Sequence, residues 1–167
     1  MLKSYVKILP FVGKYADCVV GHEVEISEKL DGSQFCFGKD EEGVLHFRSK
    51  GAIIDGASPP DMFRSAVLHV HSVAHRIHPN IAYYAEVLNK PRHNSLTYER
   101  IPKNGIALYG WTDFYRTQAD PIYANLVEAA DMLEVDVVPL LFQGKLESMD
   151  HAKEFMAGIS ILGKATK

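Results

Sequence analysis

The sequence predicts an α+β fold, and three observations predict it. Short segments in the first third of the chain alternate apolar and polar residues with period two. Later segments place apolar residues at three- and four-residue steps, the spacing of an amphipathic helix. The third observation is the mixture itself, antiparallel strand pairs interspersed with helices.

Taken in order, Glu23 to Ser27 reads Glu-Val-Glu-Ile-Ser and predicts a strand. Gln34 to Gly38 (Gln-Phe-Cys-Phe-Gly) and Val44 to Arg48 (Val-Leu-His-Phe-Arg) flank the turn Asp40-Glu41-Glu42-Gly43, so residues 33–49 form one antiparallel hairpin. A loop over 51–60 ends in Ser58-Pro59-Pro60-Asp61, a helix start. Met62, Phe63, Ala66, Val67, Val70, Ala74 and Ile77 form the apolar face of that helix, which ends near His78-Pro79. Ile81 to Leu88 is an apolar strand, 90–104 a polar loop, and Ile106 to Phe114 a strand expected to carry Tyr109 and Trp111 on one face. Asp120-Pro121 caps a second helix with Ile122, Leu126, Ala129, Ala130 and Leu133 inward. Val135 to Phe142 is a strand, and Ser148 to about Ile161 a third helix weakened by Gly158.

The 167 residues suit a single domain, 1–167, able to bury a full core. With 47% hydrophobic and 23% charged residues, a disordered, collagen-like or coiled-coil chain is excluded. No run reaches the roughly 20 apolar residues that span a bilayer, so no membrane partner is expected. The opening segment is broken by Pro10 and Gly13 and does not read as a signal peptide. Two cysteines, Cys18 and Cys36, make no disulfide framework, so a reducing, cytoplasmic setting is expected, which for a viral protein would be the host cytoplasm. A formal charge of -3 means that any nucleic-acid surface must be a local patch.

The segment that carries chemistry is Glu28-Lys29-Leu30-Asp31-Gly32-Ser33, between two strands. A lysine amine becomes a nucleophile when its pKa is lowered, and it pairs with phosphate as a point charge. Gly32 allows a tight turn and a close backbone approach. By themselves these six residues read first as a solvated Asp-Gly turn. Arg48 and Lys50 then follow at the end of the paired strand, Glu86 interrupts the apolar strand Tyr83-Tyr84-Ala85-Glu86-Val87-Leu88, and Tyr109 and Trp111 sit in the next one.

In this order the residues resemble the covalent nucleotidyltransferases, the superfamily of ATP-dependent ligases and capping enzymes. Lys29-Leu30-Asp31-Gly32 matches its Lys-x-Asp-Gly signature, and Glu28, Ser33 and the spacing to Arg48 look most like the branch of nick-sealing phage RNA ligases. The resemblance runs from about Glu23 to the end of the chain. It implies an antiparallel-sheet, ATP-grasp-like adenylation domain in which Lys29 attacks the α-phosphate of ATP and holds AMP as a phosphoramidate. Glu28 would lie beside the adenine with Leu30 in the same motif, and Arg48 would contact the ribose or an incoming 5′-phosphate. Glu86 would bind the ribose hydroxyls or a metal-bound water, Tyr109 or Trp111 would stack on the base, and Asp31, Gly32, Ser33 and Lys50 would support the motif. ATP, Mg2+ or Mn2+, and a nucleic acid with 5′-phosphate and 3′-hydroxyl ends (RNA in preference to DNA) are the implied cofactors and partner.

The departures from the family are a Glu-Gly-Val-Val-like strand and a Lys-x-Lys strand, neither of which is present. Residues 158–164 look like the segment before the first of these, so the resemblance implies an adenylation domain that is incomplete, with an open sheet edge and weak adenylation. The alternatives are a non-catalytic nucleotide- or nucleic-acid-binding fragment, and a DNA ligase or capping-type enzyme. Two other groupings stand out: His69, His71, His75 and His78 crowd one helix, with His71, His75 and His78 on one face that reads as a polar face rather than a metal site, and the basic loop Lys90-Pro91-Arg92-His93-Asn94 suits either a nucleic-acid phosphate or solvent.

Overall fold

The structure is a computed structural model that describes residues 1–115, 126–157, 159–160 and 162–164. Its helices are α1 (Lys14–Asp17), α2 (Asp61–Ser72), α3 (Leu126–Met132) and α4 (Met149–Glu154). Its strands are β1 (Glu23–Ser27), β2 (Ser33–Lys39), β3 (Leu45–Ser49), β4 (Ile53–Ile54), β5 (Ile81–Val87), β6 (Ile106–Asp113), β7 (Asp136–Val137) and β8 (Leu140–Lys145). Six strands form one sheet in the order β4-β3-β2-β5-β6-β7, antiparallel except for β6–β7, while β1 and β8 form a separate antiparallel ribbon. The α+β class expected from the sequence is what the chain adopts.

The hairpin β2–β3 pairs Phe35 with Ser49 and Lys39 with Leu45. Its turn closes as the sequence requires: Gly43, at φ 78°, adopts a left-handed conformation and its N–H donates to the Asp40 carbonyl at 3.1 Å. Asp40 Oδ1 also accepts from the Val44 N–H at 2.8 Å, and His46 Nε2 lies 2.6 Å from Asp40 Oδ2. The His46 contact foremost, with the Val44 N–H adding to it, holds the Asp40 carboxyl below its ordinary 3.8 against the opposing effect of burial. A depressed carboxyl contributes stability above its unfolded value, and that contribution is lost as pH falls through the folded value. In His46→Ala the Asp40 titration should move up toward 3.8, read from its side-chain carboxyl carbon by NMR; an unmoved midpoint would mean that the pair does not hold in solution.

The principal core lies on one face of the six-stranded sheet. Phe35, Phe37, Phe47, Tyr83, Ala85, Val87 and Leu108 pack there against Phe63, Ala66, Val67 and Val70 of α2 and against Leu126, Ala130 and Leu133 around α3. Of the predicted apolar face, Phe63, Ala66, Val67, Val70 and Ile77 are buried, whereas Met62 is exposed and Ala74 half-buried. The helix itself ends sooner than expected: it gives way after Ser72 to a 3₁₀ turn at Ala74–Arg76, with Arg76 paired to Glu134 at 2.6 Å. The third predicted helix is likewise shorter, Met149–Glu154 followed by a 3₁₀ turn to Ala157. The start of the second helix, with Asp120, Pro121 and Ile122, lies outside the described residues, as do Gly158 and Ile161.

The single strand expected over 135–142 is a correction. It is broken at Val138-Pro139 into β7, which joins β6, and β8, which joins β1. Proline has no N–H for a ladder, so the chain changes sheets there. The Val138 N–H still donates to Leu108, and the Pro139 carbonyl accepts from Glu28 at 3.1 Å. Among the described residues β1 and β8 have no other partner strand. No described helix is long and apolar enough to cross a membrane.

Candidate nucleotide site

The Lys29 turn links the ribbon to the large sheet, from the end of β1 to the start of β2. Every residue after Lys29 is tied down. Leu30 is buried against Leu88, Tyr98, Ala107, Val138 and Leu162, so its side chain belongs to a core and does not line an opening. The Asp31 N–H donates to Tyr98 Oη at 2.8 Å, and Asp31 Oδ2 accepts from the Ser95 and Leu96 N–H groups at 2.7 and 2.8 Å. The Gly32 N–H donates to Glu86 Oε1 at 3.0 Å, and the Gly32 carbonyl accepts from Asn94 Nδ2. Ser33 Oγ and His93 Nε2 are hydrogen-bonded at 2.9 Å. Lys29 itself is exposed at the head of this pinned turn.

Gly32 has a steric reason as well. A Cβ there would lie 2.5 Å from the Val87 carbonyl oxygen and 2.8 Å from Glu86 Cγ, because the turn runs hard against β5. The loop over 90–104, expected only as polar chain, is therefore a clasp on the turn. His93, Asn94, the Ser95 and Leu96 amides and Tyr98 all bond to residues 31–33, while Lys90 and Arg92 remain exposed. Sequence reasoning missed this role because nothing local marks a loop that bonds some sixty residues back.

The remaining candidates lie on the sheet face opposite the α2 core. Register pairs Gln34 with Glu86, Cys36 with Tyr84 and Cys36 with Arg48, so these five side chains share a face. Tyr109 reaches it through a β-bulge. Tyr84 pairs with Gly110 and Ala85 with Leu108, leaving Tyr109 as the extra residue of β6. The bulge also corrects the expectation that Tyr109 and Trp111 share a face. Trp111, opposite Tyr83, packs with the α2-side core, whereas Tyr109 packs against Tyr5 and the Leu30 cluster. Arg48 is half-buried and donates from Nη1 to the Leu2 carbonyl at 2.9 Å. Lys50 is exposed just past β3, and Glu28 is half-buried.

Electrostatically the face is a place where burial dominates. Burial pushes the Glu86 carboxyl up to about 7, against the nearby Lys29 ammonium and the Gly32 N–H, which pull it down. Burial raises the Tyr109 hydroxyl and takes the Cys36 thiol to about 11. It also lowers His93, with Lys90 adding to the effect and Asp31 opposing it. A carboxyl raised on folding resists ionisation, so the folded state loses ground as pH climbs from about 4.5 to about 7. Glu86→Gln, whose amide oxygen can still accept from Gly32, should flatten urea midpoints across that window. A slope unchanged from wild type would show that Glu86 titrates normally.

No family model matches the chain, and a search of the curated proteins finds no match. The site therefore stands on its own geometry. Among the described residues no group of three His, Cys, Asp or Glu side chains could hold a metal. Asp31 accepts from two amides, and of the four histidines expected on one helix only His69 and His71 lie in α2, His75 being in the 3₁₀ turn and His78 beyond it, while His69 Nε2 lies 2.8 Å from the Leu133 carbonyl. Glu86 offers one carboxylate, enough only for a Mg2+ or Mn2+ ion carried in on the phosphates of a nucleotide.

Proposed function

We propose that the chain is an ATP-dependent RNA ligase adenylation domain that forms a covalent lysyl-AMP. The observation that carries the reading is the contrast at the Lys29 turn: an exposed amine beside residues pinned by hydrogen bonds, next to a sheet face bearing Glu86, Arg48 and Tyr109. Phosphoryl transfer asks the protein mainly for placement and charge, and a nucleophile on a fixed turn supplies placement.

In the proposed first step Lys29 Nζ, as the free amine, attacks the α-phosphorus. A P–N bond forms, the bond to the bridging oxygen breaks, and pyrophosphate leaves; the amine proton passes to solvent. Arg48 offers cationic N–H donors to phosphate or ribose oxygens, Glu86 accepts from ribose hydroxyls, and the Tyr109 ring packs against the base. Glu86 would help hold a divalent ion brought in on the triphosphate, and that ion would supply charge neutralisation at the leaving group. AMP then passes to a 5′-phosphate, and attack by a 3′-hydroxyl releases it. The test is intact mass after incubation with ATP and magnesium: a gain of one AMP is expected, and a chain that never gains it sinks the reading. Competition by GTP separates this from capping-type chemistry.

A further inference from the structure

The first five residues, in which the sequence shows no motif, lie across the same sheet face. The Leu2 carbonyl accepts from Arg48 Nη1 at 2.9 Å, and Ser4 Oγ accepts from Gln34 Nε2 at 2.8 Å. The Tyr5 ring stands nearly perpendicular to Tyr109, at 83° with centroids 4.9 Å apart, and makes a second edge contact with Tyr84 at 5.1 Å. Three strap residues thus meet Arg48, Gln34, Tyr84 and Tyr109, which share the sheet face that carries Glu86.

A strap in this place either covers the face or builds it. Leu2 decides between the two. It is 3% exposed and belongs to a core cluster with Cys36, Ala82, Tyr84 and Phe114. Lifting the strap would strip a buried leucine from that core and take the acceptors from Arg48 and Gln34, whose donors would be left in a half-buried place. Arg48 also donates from Nε to the Ser49 carbonyl at 3.3 Å. Two carbonyls therefore fix the plane of its fork, the group that would meet an anionic ligand. Perpendicular aromatic rings likewise fix each other's planes.

We propose that the strap Leu2–Tyr5 is a positioning element of the nucleotide site, with the Leu2 carbonyl setting the Arg48 guanidinium and the Tyr5 ring setting Tyr109 for a purine nucleoside triphosphate. The proposal rests on the nucleotidyltransferase reading above. Its test is ATP binding by equilibrium dialysis, run beside thermal melts, for wild type, Tyr5→Ala and Tyr5→Phe. Tyr5→Ala should weaken ATP binding about tenfold, a loss on the scale of one aromatic pair, and Tyr5→Phe should restore it. Unchanged binding in Tyr5→Ala overturns the proposal, and tighter binding does so too, since it would make the strap an obstruction. Should Tyr5→Ala fail to fold, Tyr5→Leu keeps the apolar bulk without the ring and is read the same way. A wild-type chain that binds no ATP overturns this proposal and the nucleotide reading together, whereas wild-type binding indifferent to residue 5 overturns the strap alone.

Discussion

Lys29→Ala should abolish AMP capture while leaving the fold as it is. The side chain is exposed, and the turn is held by Leu30, Asp31, Gly32 and Ser33. Stability should therefore stay within about 0.5 kcal/mol of wild type, the usual range for a surface substitution. Covalent label should fall to background, because no other amine occupies that position. Lys29→Arg should fail equally, since a guanidinium does not deprotonate to a nucleophile at working pH. Intact mass and a denaturation curve on the same samples read both quantities. Label surviving in Lys29→Ala would move the nucleophile elsewhere and end the assignment, whereas label lost together with the fold would make Lys29 a structural residue.

Gly32→Ala has the largest expected effect on stability. The added methyl would face backbone, the Val87 carbonyl oxygen at 2.5 Å, with Leu88 Cδ1 at 2.7 Å and Glu86 Cγ at 2.8 Å on its other sides. A flexible side chain could move aside, but the Val87 carbonyl, at the end of β5 where Val87 pairs with Ser33, cannot without disturbing that pairing with β2. The Gly32 bond to Glu86 and the Leu30 packing would be displaced with it. A cost of about 3 kcal/mol is expected, the upper part of the range for overpacking. Gly43→Ala makes the comparison. Its φ of 78° strains any side chain, but a Cβ there meets nothing within 4 Å, so about 1 kcal/mol is expected. Urea midpoints check both, and a Gly32→Ala chain as stable as Gly43→Ala would show that the turn does not press on β5 as described.

What the sequence made legible was whatever local periodicity encodes. The hairpin over 33–49, the apolar face of α2 and the strands holding Glu86 and Tyr109 follow from spacing, because each buries one face and that burial writes a pattern. What it hid depends on contacts between distant segments or on a single irregular residue. The bulge at Tyr109 shifts the strand phase by one residue and so separates Tyr109 from Trp111, although an unbroken strand would have kept them together. The sheet change at Pro139 splits one apolar run into β7 and β8, because the run stays apolar whichever sheet receives it. Within the candidate site, Lys29, Gly32, Glu86 and Arg48 could be named from motif order. The clasp from His93 to Tyr98 and the strap from Leu2 to Tyr5 could not, since their only signal is the far side of a hydrogen bond.

The ribbon of β1 and β8 ties the assembly of the site to the timing of synthesis. Glu23 pairs with Lys145 and Ser27 with Leu140, so the strand leading into the Lys29 turn finds its partner only after the residues of β8 have been made. The β2–β3 hairpin on the other flank can close early, from neighbours in sequence. A nascent chain emerging from the ribosome would therefore hold the later half of the turn and leave the earlier half loose, and closing so long a loop is slow. The Lys29 amine would thus be set in place by a long-range pairing that follows the closing of the β2–β3 hairpin.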